Sequence, residues 1–150
     1  MRIFDNRDSF RSLLGGEKKW ARTLEALDAA PSLADGVTYS IGDSLTYRIG
    51  RPADLAAGEL TGRRRYLMVV ASLGGEVAVE VAAKSGLVAA GPYSDLTDRQ
   101  PFAGTAEPVM VPDGGLVIVD IDEAARILPA PDARAVFLHV TVEGASFHNK

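Results

Sequence analysis

The sequence predicts a mainly β domain, a jelly roll with its helices packed outside the barrel. Three observations lead there. Short apolar runs that alternate with polar residues recur at roughly 8–12-residue spacing, separated by turn signals. Helical periodicity is confined to residues 1–31. The chain has 150 residues, 47% of them hydrophobic and 24% charged, which makes one domain with room for a real core.

The elements follow in order. Asn6 is placed to cap a short helix whose Phe10, Leu13 and Leu14 share a face, and Gly15-Gly16 breaks it. A second helix fits Glu17 to Ala30, with Trp20, Leu24 and Leu27 at i, i+4 and i+7, and Pro31 ends it. The period then changes to two. Val37, Tyr39 and Ile41 alternate, as do Leu45, Tyr47 and Ile49, with Gly42-Asp43 as the hairpin turn between them. A strand over 65–73 is turned by Gly74-Gly75, and Val77, Val79 and Val81 alternate with Glu76 and Glu80. A strand near 86–90 precedes a polar stretch, 92–106, that contains two prolines and reads as a long loop. Val109 to Val111, the turn Pro112-Asp113-Gly114, a buried strand over 116–121 and a strand over 126–129 come next. Pro129 and Pro131 break the chain before the last strand, 133–142. The expected organisation is a single domain: helical decoration over 1–31, a β-barrel over 36–142 and a tail over 143–150.

Composition excludes several classes. A net charge of −4 argues against a nucleic-acid binder. Without cysteine there is no disulfide, thiolate metal site or cysteine nucleophile. The opening MRIFDNRDSF lacks the apolar core of a signal peptide, and no apolar run approaches 18 residues. A cytoplasmic protein with neither nucleic acid nor membrane as partner is expected.

A small all-β barrel points to the cupin group, whose members hold a metal inside the barrel with histidines and a carboxylate. Pro112-Asp113-Gly114 matches the Pro-x-Gly turn of cupins, a turn that also joins strands elsewhere. Val117 stands where a cupin histidine would follow that glycine.

A more specific resemblance is carried by MRIFDN at the start, KKW at 18–20, SIGDSLTYR at 40–48, TGRRRY at 61–66, LTDR at 96–99 and the terminal FHNK. These stretches span nearly the whole chain, and together they resemble the YhcH/YjgK/YiaL family, which includes the small (beta) subunit of evolved beta-galactosidase. The resemblance implies a cupin-like double-stranded β-helix and sugar-related work. It also implies association with a large glycosidase subunit, as in the beta-galactosidase type, or sugar anomerase activity, as in some relatives. Relatives usually carry a histidine where Arg63 stands, an acid where Met68 stands and a histidine or glutamine where Val70 stands. Many also carry a late histidine where Ala125 stands. Arginine stays protonated and methionine offers only a soft thioether, so no metal and no other cofactor is expected here.

Two histidines remain. His139 shares a strand face with Phe137 and Thr141 and reads either as a packed, hydrogen-bonded histidine or as a functional one. His148 lies in the tail. Neither has the neighbouring pattern of a metal site or a nucleophilic triad. The candidates for a pocket at the barrel mouth are Tyr47, Arg63, Arg65, Asp120, Asp122 and Arg126. Alternation along a strand puts Arg63 and Arg65 on one side and Arg64 on the other. There they would bind sugar hydroxyls or a carboxylate, or form a solvated rim. Tyr47 is a stacking platform or a core residue. Asp122 and Arg126 read equally as a plain ion pair, Asp43 as a turn residue, and Asp95, Asp98 and Arg99 as a lid or as turn caps.

Three functions compete. The first is an accessory module without chemistry that binds a small carbohydrate and docks, through a tail bearing Phe147, on a large glycosidase subunit or across a homodimer. The alternative is a metal-independent sugar anomerase or epimerase, which needs only a modest acid and base. The third is a protein whose ancestral pocket is filled by Met68, Val70 and their neighbours.

Overall fold

A computed structural model describes residues 1–42, 45–55, 58–130 and 132–142. The chain opens with a short strand, β1 (Arg2–Phe4), and two helices, α1 (Arg7–Leu14) and α2 (Lys18–Ala29). Asn6 is extended, and its side-chain oxygen accepts the Ser9 N–H at 2.8 Å, which satisfies one of the free amides at the helix start. Phe10 is fully buried and meets Phe4 and Trp20 edge-on, at 5.4 and 5.7 Å between ring centroids. Leu24 and Leu27 of α2 are buried in the same layer. Leu13 was expected beside them but is 70% exposed, because α1 rests on Phe10 and Leu14.

Among the described residues, twelve strands form two antiparallel sheets. The first sheet runs in the order β1, β10 (Leu116–Val119), β5 (Tyr66–Gly74), β12 (Arg134–Thr141), β3 (Leu45–Gly50), β2 (Thr38–Ile41). The second runs β7 (Val88–Ala89), β8 (Gln100–Ala103), β4 (Leu60–Gly62), β11 (Glu123–Ile127), β6 (Val77–Ala83), β9 (Glu107–Val111). The chain crosses between sheets from β3 to β4, β4 to β5, β5 to β6, β9 to β10, β10 to β11 and β11 to β12. The inner strands therefore interleave as β10-β5-β12-β3 over β4-β11-β6-β9. That order is a jelly roll, the cupin-like double-stranded β-helix. Gly114, at φ +80°, makes the turn from β9 to β10 in a conformation that suits glycine.

Strand alternation gives the first sheet two buried faces. Leu67, Val69 and Ala71 of β5, with Leu45, Tyr47 and Ile49 of β3, pack under the helices. Met68 and Val70 face the other way and join Val77, Val79, Val117 and Ala125 in the core between the sheets.

Several expected elements shift. The strand near 86–90 shrinks to β7, and the one at 126–129 lies at 123–127. The stretch 92–106 contains β8 and a Ser94–Arg99 bridge, so the expected loop is partly paired. β1, β4 and a short helix, α3 (Pro52–Leu55), are too brief to show a period. Asp43, the tail 143–150 and its Phe147 and His148 lie outside the described residues. No helix among the described residues is long and apolar enough to cross a membrane.

Candidate functional site

The three arginines mark a crossing between sheets. β4 ends at Gly62 in one sheet, β5 begins at Tyr66 in the other, and residues 63–65 form the bend between them. Strand alternation therefore does not run through the arginines, and Arg63 and Arg65 do not share a side as expected. Arg63 turns into the barrel. Arg64 lies over the Tyr93 ring, 3.9 Å from its centroid. Arg65 points outward, donates to the Asp95 carbonyl and pairs with its carboxylate at 3.6 Å. A Cβ on Gly62 would lie 2.6 Å from both Lys84 and Phe102, so glycine there lets Lys84 reach the Arg63 carbonyl at 2.7 Å.

Asp98 holds this bend. It is 2% exposed, and its carboxylate accepts the amide N–H groups of Arg64, Arg65 and Tyr66 at 2.9–3.2 Å, along with the Tyr93 hydroxyl. Successive amides aimed at one anion form a backbone nest. Burial alone would raise this carboxyl's pKa. The hydrogen bonds from Tyr93, Arg64 and Arg65, with the Arg65 charge, outweigh burial and hold it below the usual carboxylate range.

Beneath the bend lies a cavity of about 650 Å³. Its apolar wall includes Met68, Phe137 and Ala125; its polar wall carries Arg48, Arg63, Arg99 and His139. His139 sits across from Met68 on one side and Thr46 on the other, with its ring 4.7 Å from that of Phe137. Its Nε2 is shut off from solvent and has no hydrogen-bond partner among the described residues. Burial first, then the charges of Arg63, Arg48 and Arg99, push its pKa down to about 3, so the ring is neutral at neutral pH. Burial and Arg99 push Arg63 down to about 10, which leaves it a cation. Its Nη1 donates to the Asp98 carbonyl at 3.2 Å, while its Nε is buried and unpartnered. Among the described residues, the guanidinium groups of Arg48 and Arg99 have neither an acidic nor a hydrogen-bonding partner. The one acid in the lining, Asp54, is paired with Arg51 at 3.1 Å.

The candidates read from sequence separate. Arg63 is in the cavity. Tyr47 borders it from β3, but its ring lies in the helix-side core, 5% exposed and 5.5 Å from Tyr39. Arg126 also borders it, but alternation puts its side chain on the outer face of its sheet. There it pairs with its cross-strand neighbour Glu80 rather than with Asp122, and donates to the Gly58 carbonyl. Arg65 is outside. Asp120 and Asp122 gather with Glu123 at the β10–β11 turn, where Asp120 and Glu123 hold the Met1 amino group at 3.1 and 2.7 Å. Sequence reasoning missed Arg48 as a lining residue and treated Arg99 only as part of a loop. The signal for Arg48 was present: Thr46 and Arg48 alternate with the apolar Leu45, Tyr47 and Ile49, so they occupy the second face of β3.

The four positions weighed from the sequence as metal-ligand sites converge inside the barrel. Arg63, Met68 and Ala125 line the cavity, and Val70 is buried opposite Phe137. His139 is the only imidazole there among the described residues, and three cations surround it. This donor set does not fit a divalent metal, which needs several neutral or anionic ligands.

Fold and cavity thus define a cupin-fold barrel with a cationic interior. No protein-family profile matches the chain. Solved structures similar to it include a cupin protein from Bacteroides fragilis, 13% identical, covering 73% of this chain and 80% of that one at TM-score 0.44. Oxalate decarboxylase is 13% identical, covering 74% and 28% at TM-score 0.38, and vicilin from Corylus avellana is 10% identical, covering 71% and 31% at 0.38. The chain spans under a third of the length of these last two. The jelly roll stands on this chain's own strand order and register, and none of those proteins' activities passes to it.

Proposed function

We propose that this protein is a binding module that takes a small anionic carbohydrate into its barrel. The observation that carries this is the set of guanidinium groups of Arg48, Arg63 and Arg99 around neutral His139, in a cavity of sugar size. A guanidinium matches a carboxylate in a two-pronged hydrogen bond, and a sugar acid brings one. Phe137 and Met68 offer an apolar surface for the C–H face of the ring. The resemblance to the YhcH/YjgK/YiaL family supports a sugar as ligand and an accessory role beside a beta-galactosidase-type large subunit.

Calorimetric titration with glucuronate, galacturonate, glucose and galactose tests the pocket. Saturable binding of an acidic sugar, lost in Arg63→Ala, is expected; no binding by any member rejects it. Affinity purification from the native cell tests the large subunit separately.

A second reading has its own support. His139 is a neutral imidazole in the cavity lining, the form that accepts a proton from an anomeric hydroxyl, so the barrel would act as a metal-independent anomerase. Exchange NMR between the two anomers of a bound sugar separates this from binding alone: an exchange rate unchanged by the protein excludes catalysis.

A further inference from the structure

We infer that Asp98 is the positioning residue of the arginine pocket, a buried carboxylate that never meets the ligand but sets where Arg63 and Arg99 stand. The inference rests on the anion-binding reading of the cavity. Asp98 adopts φ +52°, the only non-glycine residue among those described with a positive φ. A left-handed residue is kept when its surroundings over-determine it, and here they do. Its side chain clamps three consecutive amides of the 63–66 bend, and its carbonyl accepts from the Arg63 guanidinium at 3.2 Å. Its neighbours in sequence, Thr97 and Arg99, line the cavity.

The loop is closed on itself as well. Ser94 and Arg99 exchange two main-chain hydrogen bonds, at 2.8 and 3.3 Å, and Arg65 ties the Asp95 carbonyl from outside. Two chain segments far apart in sequence are thus pinned through one side chain, and each delivers one arginine. The carboxylate's hydrogen bonds are taken by amides and a phenol. It therefore forms no ion pair with Arg63 or Arg99, and their charge stays available to a ligand. An ordinary ion pair at this place would have neutralised the pocket it builds.

Asp98→Gly removes the clamp and keeps the left-handed backbone accessible; Asp98→Asn keeps one acceptor and tolerates the same backbone. The probes are glucuronate and galacturonate, titrated well below the Tm of each variant so that lost stability does not read as lost affinity. Asp98→Gly is expected to weaken binding about tenfold or more, with Asp98→Asn between it and the wild type. Arg99→Ala is expected to cost about as much alone and little more on top of Asp98→Gly, because the clamp already sets that arginine free. Additive losses, or wild-type affinity in Asp98→Gly, overturn the inference.

A second arm needs no ligand. Ring NMR signals of His139 follow its protonation, which the neighbouring arginines oppose. The Asp98 carboxylate itself favours the charged ring, so Asp98→Asn, which lacks that charge but keeps part of the clamp, is the reference. His139 is expected to titrate at a clearly higher pH in Asp98→Gly than in Asp98→Asn; the same titration in both overturns the inference. If the wild type binds neither sugar acid, the anion-binding reading fails, and this arm still decides the role of Asp98.

Discussion

Replacing His139 with leucine is expected to make the protein more stable. Leucine has a similar volume and removes a buried nitrogen that has no partner among the described residues. An unsatisfied buried polar group costs about 1–3 kcal/mol. The ring contact with Phe137, at 4.7 Å, is lost and offsets about 0.5–1 kcal/mol of that gain. The net at pH 7 is about 0.5–2 kcal/mol, a Tm higher by roughly 2–6 °C for a chain of this size. Acid widens the difference. The folded state holds His139 at about 3 against 6.5 for the free side chain, so it binds the proton less tightly than the unfolded chain does. Unfolding therefore takes up a proton between those values, and wild-type stability falls as the pH falls. From 6.5 down to pH 4, at about 1.4 kcal/mol per pH unit, the wild type loses about 3 kcal/mol that the leucine variant keeps. Urea unfolding at pH 7 and pH 4 measures both effects. A variant less stable than the wild type at pH 7, or one with the same loss on acidification, refutes the reasoning.

The other predictions concern separate parts of the molecule. Arg48→Ala is expected to weaken binding of an acidic sugar about 10–100-fold and to leave neutral sugars unaffected, measured by calorimetry. Asp98 adds stability that is present above the unfolded carboxyl value, about 3.9, and is lost as pH falls through its lower folded value. Acid unfolding of Asp98→Asn should lack that last step below pH 4. Trp20→Ala should cost about 3–5 kcal/mol in chemical denaturation, since it removes the buried ring that Phe10 packs against edge-on. Elemental analysis of protein purified without chelator should find far less than one equivalent of zinc, copper, nickel or iron, and a near-stoichiometric metal in the barrel would overturn the account of the cavity.

The parts legible in the sequence are those with a period long enough to read. Phe10 and Trp20 at helical spacing, and the alternating runs of β2, β3, β6 and β12, placed most of the architecture. What escaped has a physical cause in each case. β4 is three residues long, and the bend after it resets the alternation, so the sides of Arg63 and Arg65 could not be counted along a strand. Arg126 found Glu80 because strand register, which no local pattern encodes, puts the two opposite each other. Asp120, with Glu123, was drawn to the chain's own amino group, a contact between residues more than a hundred positions apart. His139 reads from the sequence either as a packed strand residue or as a functional one. Its place among three arginines arises only when β3, the 63–65 bend and the 94–99 loop meet around it.

The first sheet packs against the helices on one face and fronts the cavity and the inter-sheet core on the other, and the two faces answer to different demands. The layer of Phe10, Trp20, Leu24 and Leu27 anchors β3, β5, β10 and β12 from behind and, among the described residues, shares only Tyr47 with the cavity lining. The residues on the cavity side are thereby released from much of the duty of keeping the strands in place. An interior of that kind can exchange its chemistry piecemeal, one charge or donor at a time, while the framework stays put. In such a scaffold the lining is the fast-drifting variable and the helical backing the slow one. A barrel whose lining does not fit a metal, with arginines in it instead, is the outcome that this division of labour permits.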